Sequence, residues 1–117
     1  MTEFDPKITG KVKLLRRGRE KRSHSLEQID GKDHPRPIIL EPGESIIGRA
    51  ADSHVRLSSK RASRHHAFVR LRGTDCVLFD NDSNNGVFLN GVKVHSAVLR
   101  DGDVIQVADS VFIYYED

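Results

Sequence analysis

The stretch SKRASRHHAFVRL, from Ser59 to Leu71, joins a polar segment to a strongly patterned one. In its second half Ala67, Val69 and Leu71 alternate with larger aromatic or charged residues. This period of two is typical of a β-strand that buries one face, because successive side chains point to opposite sides of a sheet. Its first half places cations, hydroxyls and histidines directly before that strand. The sequence therefore predicts a strand whose entrance concentrates positive and hydrogen-bonding groups.

Similar short apolar segments extend in both directions from this strand. DCVLFD follows it after a turn at Gly73-Thr74, and GVFLNGVKV contains the pair Asn90-Gly91, the strongest short hairpin signal. Further strands are predicted over KVKLL, RPIILEP, SIIGR, HVRL, VIQV and SVFIYYE. About ten short strands, with no convincing helix between them, predict an all-β sandwich or barrel.

The length of 117 residues fits one domain with a single core. Residues 1–10 are predicted to form a flexible N-terminal tail, so the folded domain is expected to span residues 11–117. Within it, residues 18–35 are polar and rich in turn-forming types. This composition predicts a long polar surface loop, with room for a helical turn over Leu26 to Ile29.

The composition excludes several classes of protein. No apolar run approaches the ~20 residues needed to cross a membrane, and no leader of the secretory type precedes the domain. The expected location is the cytoplasm, or the nucleus if the source has one. The single cysteine, Cys76, excludes an internal disulfide and is expected to be a small buried hydrophobe. The six histidines lack the spacing of zinc ligands, so no metal site and no cofactor are expected.

Five polar residues in three separate segments are the candidate functional residues. Loops at one end of a sandwich approach each other in space, so these residues are expected to share one rim. Together they supply many hydrogen-bond donors, which suits a phosphorylated hydroxyl with its three acceptor oxygens and nearly two negative charges. Arginine binds such a group through a planar fork. The five are Arg49, Ser63, Arg64, Asn84 and Asn85.

The ordered motifs GR, SRHH, DSNNGVFLNG and LRDGD resemble the forkhead-associated (FHA) family of phosphothreonine-peptide binders. The resemblance covers about Lys11 to Tyr115, and the motifs are specific in combination although each is weak alone. It implies an FHA-type β-sandwich of about eleven short, mainly antiparallel strands, with the binding loops at one end. It also implies a phosphothreonine-dependent interaction module that recruits a phosphorylated partner or linked domain after a Ser/Thr kinase has acted.

The resemblance assigns a role to each candidate residue. Arg49 and the hydroxyl of Ser63 are expected to contact the phosphate. Arg64 is expected to add its backbone N–H and its guanidinium. Asn84 is expected to face the phosphothreonine, and Asn85 to hold the peptide main chain through its carboxamide.

Further residues are expected to support the loops or to select the peptide. Arg61 stands where the family often reads the third residue after the phosphothreonine, which favours an acidic residue there; Lys60 is the competing candidate. Ala108 stands in the last turn, where the family frequently has glycine. The residues expected to support the binding loops are Gly48, His66, Gly86 and Asn90.

Other functions remain as alternatives. An enzyme needs a nucleophile beside an oriented base, and no such pair is evident, so catalysis is not expected. The basic segment RRGREKR, from Arg16 to Arg22, allows contact with nucleic acid, although no interleaved aromatic residues or recognition helix accompany it. An FHA-like scaffold that binds its partner without phosphate is the third reading.

Overall fold

A computed structural model of the chain describes residues 23–31 and 33–117. Over these residues it contains eleven β-strands and no helix, and hence no helix able to span a membrane. The predicted tail over 1–10, the predicted strand over 11–15 and the basic segment 16–22 lie outside these residues. The strands are β1 (His24–Asp30), β2 (Ile38–Ile39), β3 (Gly43–Gly48), β4 (Val55–Arg56), β5 (Ala67–Arg72), β6 (Asp75–Asp80), β7 (Val87–Leu89), β8 (Val92–Val94), β9 (Ser96–Val98), β10 (Val104–Val107) and β11 (Ser110–Glu116).

The strands form two sheets. The six-stranded sheet has the order β2-β1-β11-β10-β7-β8, and the five-stranded sheet has the order β4-β3-β5-β6-β9. The pair β3–β4 is parallel, and the other pairs between described strands are antiparallel. The prediction of an all-β, mainly antiparallel sandwich is therefore confirmed.

The alternation in β5 explains how the five-stranded sheet meets the core. Ala67, Val69 and Leu71 are each at most 5% exposed and face the other sheet. On the opposite face the Arg70 guanidinium lies 4.8 Å from the centre of the Phe79 ring and 2.8 Å from a carboxylate oxygen of Glu44. One face of the strand thus supplies the core, while an arginine covers the aromatic residues of the other face.

The core lies between the two sheets and draws on both. Each large apolar side chain buried there stabilises the fold by about 1.5–3 kcal/mol relative to leaving it in water. Cys76 is buried among them, as expected for a small hydrophobe. The largest fully buried apolar residues are Leu26, Ile47, Leu57, Leu78, Ile105, Phe112 and Tyr114.

The segment predicted as a polar loop over 18–35 contains a strand, so that prediction is wrong over 24–30. β1 pairs with β11 on one side and with β2 on the other, and the helical turn predicted over 26–29 is absent. Leu26 is fully buried, but His24, the other buried residue of β1, is polar. The Nδ1 atom of His24 lies 2.6 Å from the Tyr114 hydroxyl oxygen. A strand whose buried face carries hydrogen-bonded polar groups lacks the apolar alternation that sequence patterns detect.

The predicted hairpin at Asn90-Gly91 is confirmed. Both residues have positive φ, 51° and 84°, as a two-residue type I′ turn requires. The Asn90 carboxamide donates to Asp103 at 3.1 Å and accepts from the Val104 N–H at 2.9 Å. The turn is therefore fixed to the start of the neighbouring strand β10.

Candidate functional site

The loops that follow β3, β4 and β6 meet at one end of the sandwich. Gly48 lets the first two approach closely, because a Cβ atom there would lie 2.1 Å from the Arg64 carbonyl oxygen. Immediately beyond, the Arg49 N–H donates to the Ser63 carbonyl at 3.0 Å, and the Ala50 N–H donates to the Arg64 carbonyl at 2.9 Å. The β3–β4 loop (49–54) and the β4–β5 loop (57–66) are thus joined by main-chain hydrogen bonds.

Arg49 is exposed but held in place. Its Nε donates to the Ala62 carbonyl at 3.1 Å, while its two terminal nitrogens have no acceptor among the described residues. The side chain therefore presents the end of its guanidinium fork to solvent in a fixed orientation. Such an arrangement suits an oxyanion, since little side-chain freedom is lost when the anion binds.

His66 is fully buried and connects the β4–β5 loop to the β6–β7 loop (81–86). Its Nδ1 accepts from the Ser63 N–H at 3.0 Å, so the ring proton is on Nε2 and is donated to the Gly86 carbonyl at 2.8 Å. This neutral tautomer uses both ring nitrogens. The imidazole sets the spacing between the two loops.

The β6–β7 loop brings its asparagines to the same rim. The Asn84 N–H donates to the Ser63 hydroxyl oxygen at 3.2 Å, which leaves the hydroxyl hydrogen available for another acceptor. The Asn85 carboxamide donates to the Arg61 carbonyl at 2.7 Å and keeps its oxygen and its second N–H. Both asparagines are exposed.

The structure brings all six predicted peptide-contacting residues to this end of the sandwich. Of the four residues predicted to support the loops, Gly48, His66 and Gly86 lie among them. Asn90 does not: β7 leads away from the rim, and the Asn90 turn contacts residues 103 and 104 at the opposite end. That part of the prediction is corrected, because the motif fixes a hairpin and not a binding loop.

Asp109 was not among the predicted residues but belongs to the same rim. The Ser59 hydroxyl donates to its carboxylate at 2.7 Å, and a terminal nitrogen of Arg61 lies 3.6 Å from it. The side chain of Asp109 is 57% exposed and that of Arg61 is 77% exposed, so the ion pair between them is weak. A cavity of about 240 Å³ lies alongside, lined by Arg61, Asn85, Phe88, Gln106 and Ala108.

A second unpredicted carboxylate, Asp52, stabilises the loops from the other side. Its Oδ1 lies 2.8 Å from Nε2 of His65, and this hydrogen bond lowers the pKa of the Asp52 carboxyl. The Asn81 carboxamide donates to the His65 carbonyl at 3.0 Å. The three loops are thereby cross-linked at their surface as well as beneath it. No sequence motif signals this pair, since it depends on how the loops pack.

Among the described residues, neither the cysteine nor a metal-binding cluster lies beside these donors. In the part of the chain that the structure describes, no cluster of His, Cys, Asp and Glu has the geometry to hold a metal ion. Burial raises the pKa of the Cys76 thiol to about 11. This residue lines a separate cavity of about 410 Å³ at the opposite end of the sandwich, beside Arg100 and Glu116. The donors of Arg49, Ser63 and Asn85 are what make the rim suitable for an anion.

Comparison with known proteins matches both the sequence and the fold. The family model for the FHA domain matches residues 45–108. The chain is 34% identical over 113 residues to the ABC transporter ATP-binding/permease protein Rv1747 of Mycobacterium tuberculosis. That alignment covers 97% of this chain but only 11% of the transporter. The similarity thus concerns one part of a much longer protein.

Two solved structures have the same architecture. One, from a structural and functional analysis of phosphothreonine-dependent FHA domain interactions, has a TM-score of 0.74 and 36% identity, covering 80% of this chain and 95% of that one. The other is the FHA domain of FhaA, a Mycobacterium tuberculosis protein, complexed with the intracellular domain of Rv3910. Its TM-score is 0.73 at 37% identity, with coverage of 79% and 99%.

Proposed function

The chain belongs to the FHA family, and from this premise we propose that it binds phosphothreonine peptides through the rim built on Arg49, Ser63 and Asn85. The binding recruits a phosphorylated protein or a linked domain after a Ser/Thr kinase has acted. One observation carries the proposal: the anchored Arg49 fork and the Ser63 hydroxyl share one rim and keep unpaired donors.

The phosphate is held by charge and by directed hydrogen bonds. Arg49 donates from its terminal nitrogens, Ser63 donates its hydroxyl hydrogen, and Arg64 adds its N–H and positive charge. Hydrogen bonds to charged groups contribute about 1.5–3 kcal/mol each. Part of this is offset by ordering the peptide, so the expected affinity is about micromolar.

The peptide main chain lies against the β6–β7 loop. Asn85 is held at one amide hydrogen by the Arg61 carbonyl, and its oxygen and remaining N–H serve the peptide backbone. Asn84 faces the phosphothreonine from the same loop. Arg61 reads the third residue after the phosphothreonine, with the adjoining cavity receiving that side chain.

The exposed donors of the rim hold the phosphate without breaking its bond to threonine. Neither catalysis nor a cofactor is therefore part of the proposed function. A cytoplasmic location belongs to the same proposal, because phosphothreonine peptides arise where Ser/Thr kinases act. The domain is proposed to span residues 11–117 after a tail over 1–10. Phosphate-independent binding and nucleic-acid contact through residues 16–22 are the alternative functions: the first predicts equal affinity for both peptide forms in the following experiment, and the second predicts no binding of either.

The test is a calorimetric titration with phosphothreonine peptides and their unphosphorylated counterparts. We expect micromolar binding that requires the phosphate and weakens at least tenfold in Arg49→Ala, which corresponds to about 1.4 kcal/mol. Arg72→Ala, an exposed arginine at the opposite end of the sandwich, is the matched control. Equal affinity for both peptide forms, or an unchanged affinity in Arg49→Ala, would contradict the proposal.

A further inference from the structure

A second cavity opens at the binding end, on another side of Arg49. It has a volume of about 310 Å³ and is lined by Asp33, Arg49, Arg56, Leu57 and Ser58. It shares Arg49 with the proposed phosphate site, but none of the other five peptide-contacting residues. It also shares no residue with the cavity beside Arg61. The proposed site for a single phosphothreonine leaves this cavity unused.

Arg56 gives the cavity a second anchored guanidinium. It lies on the short edge strand β4, and its Nε donates to the Arg49 carbonyl at 3.3 Å. The Arg56 carbonyl in turn accepts from Nε2 of His34 at 2.8 Å. The terminal nitrogens of Arg56 have no acceptor in the described segments. Two forks, each fixed through its Nε, therefore line one cavity.

Asp33 is the carboxylate that lines the cavity. Its Oδ1 accepts from the Ser58 N–H at 3.3 Å, a long hydrogen bond. Two guanidiniums against one carboxylate leave the cavity positive, and the Ser58 N–H is a donor that another oxyanion can take. Asp33 thus occupies part of the site in the free domain without neutralising it.

We propose that this cavity is a second oxyanion subsite, which binds another negatively charged side chain of the same phosphopeptide. The inference rests on the proposed function, since the first phosphate places the peptide. Arg61 is proposed to read the third residue after the phosphothreonine, and this cavity shares no lining residue with the one beside Arg61, so we place the second anion before the phosphothreonine in the peptide. Its chemistry is a phosphate on a neighbouring Ser or Thr, or the carboxylate of Asp or Glu.

The experiment compares one phosphothreonine peptide with derivatives that carry a single additional anion. Phosphoserine or Asp replaces Ala at each of the three positions before the phosphothreonine, and calorimetry measures each affinity. At one position we expect a gain of about fivefold to tenfold, larger for phosphate than for carboxylate because phosphate has more charge and more acceptor oxygens. No gain with either group at any position would overturn the inference.

Two variants assign the gain to the cavity. Arg56→Gln should abolish it while the affinity for the singly phosphorylated peptide changes less than twofold. Asp33→Asn, which keeps an oxygen for the Ser58 N–H, should enlarge the gain. A gain that persists in Arg56→Gln would place the second anion elsewhere and overturn the inference. Failure of the proposed function is distinguishable, because the singly phosphorylated peptide would then show no dependence on phosphate in the unmodified domain.

Discussion

Ala108 adopts a left-handed backbone conformation, with φ of 54°, in the turn between β10 and β11. This conformation is unfavourable for a residue with a Cβ atom and costs glycine nothing. Ala108→Gly should therefore raise the free energy of unfolding by about 0.5–1 kcal/mol in urea titrations. Ala97→Gly, in the middle of β9, is the control and should lower it. A lower stability of Ala108→Gly would show that the left-handed conformation of residue 108 does not destabilise the fold.

Gly48 is required for another reason, the close approach of two loops. Its substitution by alanine would place a Cβ atom 2.1 Å from the Arg64 carbonyl oxygen and 2.9 Å from the His66 nitrogen. Both neighbours are backbone atoms and cannot move separately. We expect Gly48→Ala to cost more than about 3 kcal/mol of unfolding free energy and to abolish phosphopeptide binding.

The control for Gly48→Ala is Gly73→Ala. Gly73 has φ of 59° but open space around it, so this substitution adds backbone strain without a clash. It should cost about 1 kcal/mol and leave the affinity for the peptide unchanged. Equal losses of stability in the two variants would show that the close approach at Gly48 is unimportant.

If Arg61 reads the third residue after the phosphothreonine, as proposed, Asp109 competes with the peptide for it. While its carboxylate lies 3.6 Å from the guanidinium, an acidic peptide side chain gains little from the same cation. We predict that Asp109→Asn increases the preference for Asp over Ala at the third position after the phosphothreonine by about twofold to fivefold, within the range of exposed ion pairs. Fluorescence titration of the peptide pair measures this ratio. In Arg61→Gln the affinities for the Asp and Ala peptides should become equal. If neither substitution changes the ratio of these affinities, Arg61 is not the residue that selects the acidic side chain.

At the scale of residues, the sequence predicts those groups whose chemistry and spacing form a motif. Arg49, Ser63 and Asn85 stand in such motifs, and the structure places them on one rim. Asp109 and Arg56 carry no comparable signal. Asp109 reaches the rim because the β10–β11 turn packs beside the β4–β5 loop, and Arg56 reaches it because β4 pairs with β3 at the edge of the sheet.

At the scale of elements, apolar alternation separates the strands that were predicted from those that were missed. β6, β10 and β11 match their predicted boundaries, since their inward residues are apolar or aromatic, apart from Ser110 at the start of β11. β1 was missed because polar groups stand on its buried face, and Tyr114 of the adjoining strand supplies a hydrogen-bond partner. β9 was missed because its three residues, Ser96–Val98, are too short to show a period, and no Asn-Gly turn marks it as one marks the equally short β7 and β8.

The binding loops also acquire their rigidity at this scale. The β3–β4 and β4–β5 loops follow neighbouring strands of the five-stranded sheet, whereas the β6–β7 loop crosses to the other sheet. His66 links the second loop to the third, because it lies directly before β5 and its ring reaches the Gly86 carbonyl. The buried His66 side chain therefore fixes the distance between a loop of one sheet and the loop that crosses to the other sheet.

At the scale of the molecule, the two ends of the sandwich differ in where their polar groups lie. The rim carries exposed donors for an anion, while the opposite end buries a polar cluster inside the core. There the Tyr114 hydroxyl lies within hydrogen-bond distance of His24 and Glu116. Burial is the main cause of the raised pKa values of Tyr114 and Cys76. At alkaline pH the pH dependence of stability should therefore originate at this end, away from the peptide.

The unfolding free energy should fall as the pH rises above about 9. Burial raises the pKa of Cys76 from 9.0 to about 11, so in this window the unfolded chain loses the thiol proton while the folded chain keeps it. Fewer protons bound in the unfolded state mean that stability decreases with pH, by up to about 1.4 kcal/mol per pH unit for one group. Above pH 10.0 the raised pKa of Tyr114 adds to the decrease in the same direction.

Urea titrations at half-unit intervals from pH 7.5 to 10.5 measure this slope. Cys76→Ala is expected to be less stable at every pH, because it leaves a small cavity, but its slope between pH 9 and 10 should be shallower than that of the unmodified domain. The difference between the two slopes gives the contribution of the thiol together with its interaction with Tyr114. Parallel curves would mean that Cys76 ionises equally in the folded and unfolded chains, which contradicts its burial in the core.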